Sequence, residues 1–538
     1  MDSNSPSIER KRKLNSIAKK TLFALFIIPA IFISLFFLWP VSNLAVHLFD
    51  FDVLKATLAR PGLTHILEFT FFQAFLSVIA TLFVAIGPTY LLARWDFKGR
   101  RFLSSITTVP FMLPTVVVAS AFLALLPESI HNTILAIVIV HVFFNVSVVI
   151  RIVGAHWAKI PRDLENAART LGSSQLQTLM SITLPLLLPS IISASAIIFL
   201  FTFTSFGVIK IIGGPSNVTL EVEIARRALF IGDLGSAAVL SFIQLVFLGF
   251  VIWLTNRYSK LKAVGLSGKK SDRQYAKNKR QRFLISTSSL MIFVFVVVPI
   301  FSIFISSFKI GSDWSFFAWS HLNSPSVRPG VSTGIDPLSS IGFSVRYMVA
   351  ASVISVVIGT LGALAINEAR RLGKFLDIGL MVPIGTSAVT IGLGILITFD
   401  RAPFDWRSST LLIPVGQSLI AIPFVIRILL PVLRSQPVGY TMAASTLGAS
   451  PIRRLLTIDL VRLRKPIGMA AGIAAAISLG EFGATTLLSR SGSESMPLAI
   501  AQLLGKTGDI PRAQAYVLST ILAVITFFIV FAIEVRDA

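Results

Sequence analysis

The sequence contains no cysteine, which excludes disulfides, iron–sulfur clusters and thiolate metal sites. Acidic residues are scarce: 25 Asp and Glu stand against 48 Lys and Arg, a formal net charge of +23. Charge of either sign is thin, since only 14% of the 538 residues carry one. A soluble chain carries about a quarter. The six histidines show no paired spacing, so a histidine-rich metal site is not expected. A basic chain can bind nucleic acid, but here no basic soluble domain exists to do it, so no nucleic-acid partner is expected.

What is abundant is apolar surface. Hydrophobic residues make up 54% of the chain, with mean hydropathy +0.81. That surplus needs lipid as its solvent, and runs of about 20 apolar residues cross a bilayer. Twelve such runs are predicted, at 21–41, 66–92, 104–126, 133–153, 187–211, 236–255, 283–307, 345–366, 377–398, 410–430, 466–488 and 514–534. Residues 1–20 carry Arg10, Lys11, Arg12, Lys13, Lys19 and Lys20, then run into apolar sequence with no small-residue cleavage site. This reads as a retained start helix. Every second loop is basic: 93–103, the loop around Arg162 and Arg169, linker 256–282, 367–376 and 431–465. By the positive-inside bias these loops and both termini lie in the cytoplasm. The less basic set (42–65, 127–132, 212–235, 308–344, 399–409 and 489–513) faces outward.

Two stretches are too polar to cross the membrane and repeat each other. Glu165-Asn166-Ala167-Ala168-Arg169-Thr170-Leu171-Gly172 is followed by Ile182-Thr183-Leu184-Pro185. Met442-Ala443-Ala444-Ser445-Thr446-Leu447-Gly448 is followed by Ile458-Asp459-Leu460. The glycines are 276 residues apart, as are Arg151 and Arg427, Phe206-Gly207 and Phe482-Gly483, and Gly232-Asp233 and Gly508-Asp509. Six spans per copy in the same topology make a parallel duplication. The expected division is a basic N-terminus (1–20), a first membrane unit (21–255), a cytoplasmic linker (256–282) and a second unit (283–538). The linker reads as a basic tether near anionic headgroups.

Each stretch is built as a rigid knob. Pro161 suits the first helical position. Asp163 and Glu165 suit a first turn, where the helix dipole is positive. Ala167 and Ala168 keep one face small. Gly172 suits a left-handed cap, and Ser173 or Ser174 can cap the next helix. In the second copy Gly448 stops, Ser450 caps and Pro451 starts.

The pattern Glu-Ala-Ala, three residues, Gly, nine residues, Ile-x-Leu-Pro resembles the cytoplasmic EAA signature of ABC importer permeases of the binding-protein-dependent type. Ala167, Ala168, Gly172, Ile182, Leu184 and Pro185 match it. Asn166 holds the glutamate position, with Glu165 one residue early. In the second copy Ala443, Ala444, Gly448, Ile458 and Leu460 match, while Met442 replaces the glutamate and Val461 the proline. The resemblance extends over both six-helix halves. It implies an all-α polytopic membrane protein, with about twelve transmembrane helices forming two tandem six-helix type I permease units. It implies a multi-pass location in the bacterial plasma membrane (the cell inner membrane), two ABC ATPase subunits gripping the two loops, and an extracytoplasmic solute-binding protein. It also implies that ATP and Mg are used by those partners and that this chain binds no cofactor. The asymmetry of the copies ranks Gly172 above Gly448 for transport.

The chain is not expected to be an enzyme. Its single Walker-like fragment, Gly505-Lys506-Thr507, lacks the preceding glycine, since Ile500 stands there. Polar groups at membrane depth are candidates for the translocation path. They are His141 and Asn145, Glu481 within Ser478-Leu479-Gly480-Glu481-Phe482-Gly483, and its counterpart Ser205. Each has a structural alternative as a helix–helix contact. Outside loops 212–235 and 489–513, with Glu221, Glu223 and Glu494, read either as a face for the binding protein or as solvated loops. Fused permeases of this length resemble those for thiamine and for ferric iron. Phe72-Gln73-Ala74-Phe75-Leu76-Ser77, His141-Val142-Phe143-Phe144-Asn145 and Gly213-Gly214-Pro215 look like thiamine permeases. The Gly-Glu-Phe-Gly run is shared with permeases for molybdate, sulfate and polyamines. Thiamine transport is the leading expectation and iron transport the alternative.

Overall fold

A bilayer offers no water to satisfy backbone groups, so a chain this apolar spans it as helices. The computed structural model describes residues 25–261, 273–323, 326–328, 331–332, 334–368, 370–400, 406 and 409–537. The basic cluster at 10–20 and the middle of the linker, 262–272, lie outside these residues.

Among the described residues nine helices are long and apolar enough to cross a membrane. They include α1 (Leu25–Phe49), α2 (Leu63–Arg94), α5 (Ile134–Trp157), α7 (Gln175–Phe203), α10 (Lys279–Ser306) and α14 (Leu412–Arg434). Two further spans are not straight. Arg100–Met112 (α3) meets Thr115–Leu125 (α4) at 101°, and Leu372–Gly385 (α12) meets Ala388–Thr398 (α13) at 107°. Pro114 bends the first by lacking an N–H. At the second, the Ser387 hydroxyl accepts from the Val389 and Thr390 amides and starts a new helix. The predicted runs 104–126 and 377–398 are therefore broken elements, and nine spans become eleven if each bent pair counts as one. The twelfth expected run, 466–488, falls on α16 (Leu460–Gly480) and the short α17 (Gly483–Leu488). Its alanines and glycines, with Arg464 and Lys465, make it less apolar than the rest. The protein is an all-α polytopic membrane protein; the only strands among the described residues form two short antiparallel pairs, Lys309–Ile310 with Asp313–Trp314 and Ser326–Arg328 with Val331–Ser332.

The contacts define two compact units. One contains Met1–Phe51, Leu338–Leu498 and Val524–Ala538; the other contains Asp52–Pro337 and Ala499–Ala523. The sequence halves are thus not the contact units. The first spanning helix of each half clusters with the helices of the other half: α1 packs on α13, and α10 packs on α4. The core of the first unit is built from Phe37, Leu380, Ile395, Ile422, Leu429, Leu463 and Ala474. That of the second is built from Leu92, Val149, Trp157, Leu187, Ile198 and Ile292. Gly392 lets α13 touch α17, since a Cβ there would lie 2.8 Å from the Ala484 Cα.

Candidate functional site: paired loops and broken helices

In the first loop, Arg162–Thr170 forms helix α6, with Pro161 just before it and Asp163 and Glu165 in its first turn. Gly172 has φ +88°, where a Cβ is disfavoured. The Ser173 amide donates to the Ala168 carbonyl (3.0 Å) and the Gly172 amide to that of Arg169 (3.0 Å), a Schellman cap. Ser174, not Ser173, caps the next helix, through a reciprocal bond pair with Gln177. The chain then makes a π turn at Leu179–Thr183 and enters the span at Leu184, with Pro185 in its first turn.

The second loop reproduces this geometry 276 residues later. Helix α15 (Val438–Thr446) ends at Gly448 (φ +77°), and the Ala449 amide donates to the Ala444 carbonyl (2.9 Å). Ser450 accepts from the Arg453 amide, and a π turn follows at Leu455–Asp459 before Leu460. The π turn recurs where Val461 replaces proline, so proline does not cause it.

The two loops are held differently. Arg94, at the end of α2, has a side chain only 4% exposed and pairs with Glu165 at 2.5 Å. It also donates to the Ile160 carbonyl (2.8 Å), while Thr183 donates to the other Glu165 oxygen (3.2 Å). Glu165 therefore faces its own protein, as an anchor. In the second loop the charges are reversed. Arg454, on the loop, pairs with Glu368 at the end of α11 (Pro337–Glu368) and with Asp459 at 3.3 Å. Asp459 stands where Thr183 stands in the first copy.

The outward faces remain free. Asn166, Ala167, Met442 and Ala443 are exposed, whereas Ala444 is buried and Ala168, Ile182, Ile458 and Leu460 are half-buried. Leu171 and Leu447, one residue before each capping glycine, are both 87% exposed. The sequence reading overlooked them, although an apolar residue at the same place in both copies was a usable signal.

At the far end of each re-entering helix the chain breaks. Helix α7 stops at Phe203 and restarts as α8 (Gly207–Ile212). Between them Ser205 Oγ lies 2.9 Å from one ring nitrogen of buried His141, whose other nitrogen lies 3.0 Å from Ser77 Oγ. Asn145 donates to the His141 carbonyl (2.9 Å), and Gln73 donates to the Thr202 carbonyl (2.9 Å). Asn145 Oδ1 and Gln73 Oε1 are buried with no hydrogen-bond partner among the described residues. In the second copy Gln417 replaces His141 and Glu481 replaces Ser205. Ser478 donates to Gln417 (2.6 Å), Gln417 donates to Thr485 Oγ1 (3.1 Å), and Thr485 donates to Glu481 (2.5 Å). Glu481 also accepts the Ala484 (2.7 Å) and Thr485 (2.9 Å) amides. Its carboxyl oxygens thus cap the start of α17. The structure thus brings His141, Asn145 and Ser205 together, and separately builds a site around Glu481.

Glu221 and Glu223 are buried, at 0% and 1% exposed, so neither the solvated-loop nor the docking-face expectation holds for them. Glu221 accepts from Gln244 (2.7 Å), and Glu223 pairs with Arg227 (2.7 Å) and Arg226 (2.8 Å). Arg60 and Arg227 in turn reach Asp233, which caps the following helix through the Ser236 amide. Among the described residues no three His, Asp or Glu side chains form a metal-holding group.

Paired capped loops feeding broken spanning helices are the geometry expected of a transport permease. Residues 89–260, which carry Arg94, His141, the first loop and Ser205, match the family described as binding-protein-dependent transport system inner membrane component. The chain is similar to the thiamine transport system permease protein of Haemophilus influenzae, at 26% identity over 84% of this chain and 85% of that one. It is similar to the Escherichia coli protein of the same name at 23% over 88% of each. A molybdate/tungstate transport system permease protein of Pyrococcus furiosus is 28% identical over 39% of this chain. Taken together, these matches support the reading of the chain as an ABC importer permease of the fused two-half type.

Proposed function

We propose that this chain is the membrane-spanning subunit of an ATP-driven thiamine importer in the bacterial plasma membrane. The observation that carries the substrate is the alignment with thiamine permeases across both halves, against a molybdate/tungstate relative that covers 39% of the chain. Both loops and both termini lie in the cytoplasm. Two separate ATPase subunits seat on them, with Leu171 and Leu447 entering a groove on each partner and Asn166, Ala167, Met442 and Ala443 lining the contact. ATP and Mg belong to those partners. A binding protein delivers thiamine from outside.

The geometry supports a direct mechanical link. The first loop is anchored to α2 through Arg94 and runs through the π turn into α7. A push on it is therefore carried by one helix to the break at Ser205. There the His141 contact opens or closes, and the open acceptors on Asn145 and Gln73 offer hydrogen bonds to a donor-bearing cation. Glu481 and its network serve the same break in the second copy.

Uptake of labelled thiamine tests this in a thiamine-requiring strain that lacks its own permease and keeps the ATPase and binding protein of a thiamine importer. Thiamine accumulation that depends on ATP and on this chain is expected. Growth rescue by iron, molybdate or polyamine supply, with no thiamine uptake, overturns the substrate. Failure of any ATPase to co-purify overturns the importer reading.

A further inference from the structure

Two segments far apart in sequence meet within the second contact unit. One is the turn 95–101 between α2 and α3. The other is the end of the linker, 273–278, which leads into α10. The Gln274 amide donates to the Arg94 carbonyl (2.9 Å), and the Asp96 amide donates to the Gln274 carbonyl (2.7 Å). These two bonds fix Arg273 beside the turn. Gly99, at φ +89°, fixes the other side by turning the chain into α3, so that Arg100 reaches back to the Leu92 carbonyl (3.2 Å). The Asn278 side chain accepts from the Gln281 amide and sets the start of α10.

The charges gathered here are unbalanced. Between residues 95–101 and 273–282 stand eight Lys and Arg and a single acid, Asp96, 3.6 Å from Arg100. The side chain of Arg100 is only 17% exposed; burial acts against its charge first and the Arg273 charge next, while Asp96 supports it and Arg101 again opposes it. Arg273 Nε is buried with no hydrogen-bond partner among the described residues. The first turn of α10 contains no acid, although that end of a helix favours anions. Like charges held this close call for an anion. The next residues along each helix turn apolar at once. Phe102 is 64% exposed and Phe283 69% exposed, and Phe102 lies 6.4 Å, ring to ring, from Phe293.

We propose that Arg100, Arg101 and Arg273 form a binding site for the phosphate headgroup of an anionic phospholipid, whose acyl chains lie along Phe102 and Phe283. The change from cations to exposed phenylalanines within one residue on both helices favours a lipid over free phosphate. An occupied site holds the linker on the backbone of Arg94, the residue that anchors the first loop through Glu165.

The full chain is tested in nanodiscs of zwitterionic lipid doped with phosphatidylglycerol, with bound lipid read by native mass spectrometry. Wild type is expected to retain the anionic lipid selectively. Arg273→Gln and Arg100→Gln should each weaken retention roughly fivefold, the usual weight of one basic residue at an anionic surface. Lys277→Gln, on the same segment but exposed, is expected to change it less. Unchanged thermal unfolding in Arg273→Gln excludes a folding defect; where that variant unfolds, Arg273→Lys is used and should keep part of the selectivity. Equal retention in wild type and Arg273→Gln overturns the site. Displacement of the lipid by millimolar inorganic phosphate overturns the lipid as its ligand.

Discussion

The two loops share a shape and oppose each other in how they are held. Both have a short helix, a left-handed glycine, a serine cap and a π turn at one fixed offset. In the first, the spanning helix supplies the cation (Arg94) and the loop the anion (Glu165); in the second, the helix supplies Glu368 and the loop Arg454. The first pair is the more buried, and Arg94 also satisfies backbone carbonyls. The two copies therefore share exposed Ala167/Ala443 and Leu171/Leu447 and differ in the ion pairs that hold them.

The largest effect should come from removing the anchors. Arg94→Ala strands a half-buried carboxylate and is expected to cost about 3 kcal/mol and abolish uptake. Arg454→Ala leaves Glu368 and the more buried Asp459 without their cation, but neither is as enclosed as Arg94, so it should cost less, about 2 kcal/mol. Unfolding of the detergent-solubilised protein measures both, and equal losses would break the contrast between the loops. Next come the exposed tips: Leu171→Asp or Leu447→Asp should each lower uptake and ATPase co-purification, while stability stays within about 0.5 kcal/mol. A variant that keeps its partner but loses stability would show that the leucine packs on its own chain instead. Smaller still, Gly172→Ala and Gly448→Ala should each cost about 1 kcal/mol, because both sites have positive φ and free space around them. With the strain matched, any difference in uptake reports unequal use of the loops, with Gly172 expected to matter more. The smallest contrast is in the caps. Ser174→Ala removes a reciprocal pair and should cost about 1 kcal/mol, and Ser450→Ala less, since its one bond is 3.3 Å long. A helix-sensitive hydrogen-exchange measurement on 175–178 and 451–454 would separate them.

The loops were legible because their signals are local. Capping needs a glycine, a serine or a proline at a set place, and Gly172, Ser174, Gly448 and Ser450 occupy those places. Ion-pair partners were not legible, since Arg94 lies 71 residues from Glu165 and Arg454 86 from Glu368. Glu481 was singled out as a charge at membrane depth. Its use as a helix cap depends on a break that a window of apolar residues does not register. The same blindness straightened the spans at Pro114 and Ser387. Glu221 and Glu223 were read as outward-facing, either docking or solvated, because hydropathy counts residues and not partners, and their partners include Gln244 and Arg227. The grouping of α1 with the second half's helices has no local signature at all.

The π turns carry a consequence for anyone mapping the pore. In each, an amide reaches back five residues, from Leu184 to Leu179 and from Leu460 to Leu455. Such a turn holds one residue more than an α-turn, which shifts the phase of everything beyond it by about 100°. A helical wheel begun in the loop and carried straight into the span will therefore assign the wrong residues to the lumen. A cysteine scan of 184–203 or 460–480 needs its periodicity counted from the far side of the bulge, and in both halves by the same one-residue correction.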